Sequence, residues 1–155
     1  MNKSMESIED TLERTFILIK PANIGDADAI LDELDHYGHR VASAHVDAIP
    51  RDIIESHYAP HKGKFYFEDM VADFVEKPTV IAVYEGAGVI SRMLEIIGPT
   101  DPSKAPPHTI RYRYSNDSLA DAIAQKRPLK NVVHRSDSVS ESSREIAVWN
   151  QYLQL

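Results

Sequence analysis

Segments with strand character and segments with helical spacing alternate along this chain, and that order limits the topologies open to it. TFILIK (15–20) is an unbroken apolar, β-rich run closed by Pro21 and reads as a buried strand. Residues 26–37 carry Ala29, Ile30, Leu31, Leu34 and Tyr37 at helical spacing and stop at Gly38. RVASAHVDAI (40–49) has apolar residues at alternate positions, the pattern of a half-buried strand. Short helices are expected over 51–59, framed by Pro50 and Pro60, and over 67–75. TVIAVYE (79–85) is the clearest strand, and 88–97 presents Val89, Ile90, Met93, Ile96 and Ile97 on one helical face before Gly98. Pro99, Pro102, Pro106 and Pro107 exclude helix and central strand and predict a long, stiff loop. A surface helix over 115–125, a brief strand at 131–134 and a last helix through Trp149, with Ser138 and Glu141 as a capping box, complete the chain.

This order fits two β-α-β units in one sheet: an α+β, ferredoxin-like sandwich with four mostly antiparallel strands and helices on one face. An open sheet face and free edges would then invite self-association. The length of 155 residues predicts a single domain over 1–155. Cysteine is absent, which excludes disulfides and thiolate chemistry. The acidic N-terminal segment lacks the apolar stretch of a secretion signal. The run 78–84 is too short to span a bilayer, so a cytoplasmic protein without membrane contact is expected. Seventeen basic and 24 acidic residues give a net charge of −7. That charge argues against nucleic acid as a specific partner and confines a phosphate-bearing ligand to a locally basic pocket.

No Walker A sequence and no G-x-G-x-x-G is present, so side chains must hold any phosphates. The candidates are Lys20, Lys62, Arg92, Arg111, Arg113 and Arg135. None of the seven histidines shows H-x-x-x-H spacing on an unbroken helix, because Pro60 separates His57 from His61; no metal ligand is assigned. His134 differs from the rest. It sits at the end of a short strand, before the turn RSDS and a capped helix, where polar groups and a helix N-terminus can hold phosphate. Glu145, eleven residues on, can reach back to orient the imidazole, and a neutral imidazole is a competent phosphoryl acceptor near pH 7.

ERTFILIKP (13–21), SHYAPHKGKFYF (56–67), GPTDPSKAPPHTIR (98–111) and NVVHRSDSVSESSREIAVW (131–149) together resemble the nucleoside diphosphate kinase family. The most specific block is N-x-x-H-x-S-D-S with glutamate eleven residues after the histidine. The resemblance implies a ferredoxin-like hexamer or tetramer. It implies transfer of the γ-phosphate of a nucleoside triphosphate, usually ATP, to a nucleoside diphosphate. The route is ping-pong through a phosphohistidine, with Mg2+ on the nucleotide phosphates. His134 falls on the phosphorylated histidine, with Glu145 and Ser136 on the residues that orient it. Lys20, Tyr58, Thr100 and Arg111 match phosphate-proximal positions, Asn131 a sugar and phosphate contact, and Tyr66 the aromatic that stacks on the base.

Several positions depart from the family pattern. Ala22 replaces the aspartate after K-P, and Leu94 replaces an arginine four residues before Gly98, with Arg92 two residues earlier. His108, Tyr112 and Arg135 stand where glycines are usual, and Arg135 brings a cation beside the nucleophile. Residues 112–130 contain about ten extra residues at the rim of the nucleotide site, and 1–12 form an N-terminal extension. The alternative to an active kinase is a catalytically weakened, nucleotide-binding regulatory homologue.

Overall fold

The computed structural model describes residues 12–155. The reading of the N-terminal extension, and of its missing secretion signal, falls outside the described residues except for Leu12. That residue already opens the first strand.

Four strands form one sheet: β1 (Leu12–Ile19), β2 (His39–Val46), β3 (Thr79–Ala87) and β4 (Val133–Arg135). Their order is β2-β3-β1-β4, and every pairing is antiparallel. This is the ferredoxin-like arrangement expected from the element order. The helices are α1 (Ala27–Leu34), α2 (Arg51–His57), α3 (Phe67–Ala72), α4 (Val89–Ile97), α5 (Ile110–Tyr114), α6 (Leu119–Ala124) and α7 (Val139–Leu153). Helical turns of 3-10 type cover Pro21–Asp26, Ala59–His61 and Pro102–Lys104. No described helix is long and apolar enough to cross a membrane.

Both faces of the sheet are covered, which corrects the expected one-sided sandwich with an open face. The cause lies in TFILIK. Alternate residues of a strand point to opposite faces, so an unbroken apolar run needs cover on both sides. Ile17, Ile19, Ala82 and Tyr84 pack against Ile30, Leu31 and Leu34 of α1 and Val89, Ile90, Met93 and Ile97 of α4. Phe16, Leu18, Ile81 and Val83 pack on the other face against Ile54 of α2, Phe67 and Val71 of α3, and Trp149 and Leu153 of α7. Phe16, Leu18, Ile17 and Ile19 are all fully buried.

α7 begins as its sequence predicts: Ser138 Oγ accepts from Glu141 N at 3.2 Å, although the Glu141 carboxylate turns to Arg144 instead of closing the box. The proline-rich loop also ends in a helix that its sequence hides. Thr109 caps α5 by accepting from Tyr112 N at 3.2 Å.

The segment 115–130 is tied shut at its base. Ser115 Oγ donates to Lys130 O at 2.7 Å, and Arg127 makes two 2.7 Å hydrogen bonds to the Asp117 carboxylate. Lys130 N donates to the same carboxylate, and the Arg127 pair holds its pKa well below the usual range. Leu119 N donates to Asp101, which joins this segment to the proline-rich loop.

Candidate active site

The edge pairing of β4 with β1 sets His134 opposite Leu18 and Arg135 opposite Ile17, at the end of β1 that leads to Lys20. A γ-turn precedes β4. Val133 N donates to Asn131 O at 2.8 Å, and Val132 sits at φ 76°, a left-handed conformation that a β-branched residue adopts only under strain of about 1–3 kcal/mol. Lys20 N ties the turn down by donating to Val132 O.

His134, Glu145 and Ser136 form one hydrogen-bonded set. His134 Nε2 lies 2.9 Å from Glu145 Oε2, and Ser136 Oγ donates to Glu145 Oε1 at 2.6 Å. Phe16 N donates to Ser136 Oγ, which fixes the serine to the central strand. An ionised carboxylate only accepts, so Nε2 carries the imidazole proton and Nδ1 keeps a lone pair. Among the described residues, Nδ1 has no hydrogen-bond partner. Burial, with Lys20 and Arg111 nearby, lowers the His134 pKa to about 3, which keeps the ring neutral. Burial raises the Glu145 pKa, opposed by His57, by the hydrogen bond from Ser136 and by Arg144.

The cations gather beside this set. Lys20 Nζ donates to Asn131 Oδ1, whose amide nitrogen donates to Thr100 O at 3.0 Å. Burial and then Arg111 lower the Lys20 pKa to about 7. Arg111 is 3% exposed and directs all three guanidinium nitrogens at carbonyls: Nε to Asn131, Nη1 to Gly98 and Nη2 to Val133, at 3.1, 2.9 and 2.7 Å. It thus braces the loop, the turn and β4. Gly98 itself is at φ 100°, and a Cβ there would lie 3.0 Å from Thr109 Cβ, so this carbonyl is set by a position that favours glycine. Leu94 packs against the apolar core, and Arg92 is spent on Tyr37 O at 3.0 Å. Arg92 borders an open depression of about 550 Å³ with Asp35, His39 and Glu85, at the opposite end of the sheet from His134.

Aromatic rings lead from His134 towards the surface. The Tyr58 ring centroid is 6.1 Å from that of His134 and 5.9 Å from that of His61, and His61 Nδ1 meets Tyr66 Oη at 2.6 Å. Burial raises the Tyr58 pKa, so its hydroxyl stays protonated. Phe65, beside Tyr66, is 94% exposed.

The sequence reading passed over His57. Its ring centroid lies 4.5 Å from that of His134 in an edge-on contact, and Trp149 Nε1 donates to its Nδ1 at 3.1 Å. The indole only donates, so the neutral imidazole carries its proton on Nε2, which is buried without a partner. The local signal was its place next to Tyr58 at the end of an amphipathic helix; the contact with Trp149 spans 92 residues and leaves no local trace. Arg144, also unassigned from sequence, caps α2 by donating to Ser56 O and His57 O.

His57, His134 and Glu145 are the one group among the described residues with three metal-capable side chains in reach of each other. It does not suit Mg2+, which takes oxygen ligands, and both imidazole Nε2 atoms carry protons. The set is a hydrogen-bonded pair, His134 and Glu145, with His57 as a neighbour, not a cation cage.

A ferredoxin-like sheet with an oriented histidine, a buried arginine, a half-buried lysine and an aromatic path to the surface suits a phosphate-handling protein. The comparisons agree with that class. The sequence model described as Nucleoside diphosphate kinase matches residues 13–154. The chain is 36% identical over 140 residues to the nucleoside diphosphate kinase of Carboxydothermus hydrogenoformans, covering 89% of this chain and 87% of that one. It is 35% identical to that of Saccharolobus islandicus, covering 89% and 94%. The NDP kinase structure from Pyrobaculum aerophilum superposes with a TM-score of 0.79 at 28% identity, covering 92% of this chain and 98% of that one. A nucleoside-diphosphate kinase from Borrelia burgdorferi gives a TM-score of 0.83, covering 92% and 90%; at 21% identity that match speaks for the fold alone. The chain belongs to the nucleoside diphosphate kinase family of phosphotransferases.

Proposed function

We propose that His134 is the phosphoryl carrier of a nucleoside diphosphate kinase reaction. The observation that carries this reading is the hydrogen bond from Nε2 to Glu145, which leaves Nδ1 unpartnered beside Lys20 and Arg111. The Nδ1 lone pair attacks the γ-phosphorus of a nucleoside triphosphate, typically ATP. The bond to the bridging oxygen breaks, and the diphosphate leaves with that electron pair. A second diphosphate then enters, and its terminal oxygen takes the phosphoryl group from Nδ1. One pocket serves both halves, since donor and acceptor differ by the group that His134 holds.

Glu145 and Ser136 hold the tautomer and the ring plane. Lys20, Thr100 and Arg111 stand at the phosphates, Asn131 at the sugar and phosphate side, and the Tyr58 hydroxyl at the phosphoryl group. Tyr66 is the face on which a base stacks. That contact selects no particular base, because every base has a π surface. Mg2+, when bound, neutralises phosphate charge. With no oxygen-rich ligand set of three or more side chains among the described residues, it would be carried by the nucleotide itself. A cytoplasmic homo-oligomer, hexameric or tetrameric, completes the reading.

The test is a single turnover with Mg2+ and γ-labelled ATP. An acid-labile, base-stable phosphoprotein is expected, and GDP should discharge it as labelled GTP. Folded protein that takes no label overturns the reading.

The pH dependence follows from two groups. His134, with its pKa near 3, stays neutral, so the nucleophile sets no acid limb above pH 5. Lys20 loses its charge as pH rises through about 7, so kcat/KM, which reports the free enzyme, should fall above that pH. Bound polyanion favours the charged amine, so the limb in kcat should lie at higher pH. Rates of phosphohistidine formation from pH 5 to 9 check both statements.

A further inference from the structure

We propose that Arg135 is a phosphate-binding residue of this cleft, contacting the phosphates that stay with the nucleotide. The inference rests on the reading of the cleft given above.

Arg135 directly follows His134 on β4, so their side chains leave opposite faces of the strand. Arg135 projects to the side of Gly98, where its Nη2 donates to the Gly98 carbonyl at 3.2 Å. Arg111 Nη1 donates to the same oxygen at 2.9 Å. Two guanidinium groups therefore converge on one carbonyl. Like charges so placed repel, and one neutral carbonyl offsets little of that; an anion between them removes the conflict. Arg135 also has donors to spare. Its Nε is buried without a partner, and its Nη1 meets Asp137 at 2.7 Å. The Asp137 side chain is 74% exposed, so this counter-ion is held loosely and a phosphate can take its place. The Arg135 side chain is 12% exposed, which leaves it a narrow opening to solvent.

The surrounding charges point the same way. Lys20, Arg111 and Arg135 lie near His134, with Glu145 and Asp137 as the acidic groups at hand. Helix α4, which ends at Gly98, offers no cation to this place: Leu94 is half-buried against the core, and Arg92 is bound to Tyr37. A planar fork beside Arg111 suits two oxygens of one phosphate. Its position on the Gly98 side, away from the His134 ring, assigns it to the phosphates that are not transferred.

The test compares Arg135→Gln and Arg135→Lys with the wild-type chain, reading KM for a nucleoside diphosphate, the labelling rate at saturating Mg-ATP, and Tm. Arg135→Gln is expected to raise KM at least tenfold, with the labelling rate within threefold of wild type and Tm little changed. Arg135→Lys keeps the charge and should recover most of the affinity. An unchanged KM in folded Arg135→Gln overturns the proposal. So does an equal KM loss in both variants accompanied by an equal fall in Tm, the mark of a purely structural role. If Arg135→Gln does not fold, Asp137→Asn decides: freeing Arg135 should lower KM, and an unchanged or higher KM overturns the proposal. Wild-type protein that takes no label would sink the reading of the whole cleft, whereas labelled wild type with an unaffected Arg135→Gln sinks this inference alone.

Discussion

His134→Ala should lose phosphotransfer by about a thousandfold or more, since no step of the reaction can proceed through the protein without the carrier. Its fold should survive. His134 is on a three-residue edge strand, and the β4 backbone contacts to β1 and to Arg111 do not involve its side chain. Glu145 would still be held by Ser136. The measurement is label transfer from ATP to GDP beside a thermal melt. Retained transfer in the variant would end the assignment of the nucleophile, and a collapsed melt would show that the ring is a structural element first.

Arg111→Lys should be the most destabilising conservative change in the cleft. Arginine spans three carbonyls from two sides of the site with one planar group. Lysine has three donors but a single, mobile nitrogen, and it cannot reach three oxygens at those separate places. Losing two of these buried hydrogen bonds costs about 3 kcal/mol. For a chain of this length that is a fall in Tm of roughly 6–12 °C. Urea unfolding reads the loss directly. An unchanged midpoint with a higher KM would mean that the guanidinium acts on the nucleotide alone, as its match to a phosphate-proximal position implied.

Much of this architecture was legible because it is written in local patterns. TFILIK and TVIAVYE announce the two central strands, and the spacing from Val89 to Ile97 announces α4. The strand of 40–49 was placed correctly but ends earlier. Asp47 and Ala48 leave the ladder, and Ile49 makes a lone parallel bridge to Val75. Other features were hidden for physical reasons. The 3-10 turn at Pro21–Asp26 has no strong sequence signature, and α5 is one turn long behind two prolines. Coverage of both sheet faces could have been read from the unbroken apolar run, since a strand open on one side alternates. In the cleft, the histidine and glutamate spacing gave the pair that meets at 2.9 Å. His57 was invisible because its meaning depends on Trp149 and His134, both far away in the chain. The grip of Arg111 on three carbonyls is likewise a property of the folded backbone and not of any motif.

The closed base of segment 115–130 makes it a cassette. Its two ends already touch through Ser115 and Lys130, and Asp117 locks the return strand from within. A chain whose ends meet this way can be lengthened, shortened or replaced with little cost to the rest, because closing a loop between fixed ends depends only weakly on its length. Beyond that base, the contact of Leu119 N with Asp101 ties the segment to the proline-rich loop. Variation in this segment is a cheap way for such a protein to acquire new surface, while the turn at Asn131 and Val132 ahead of His134 stays where it is.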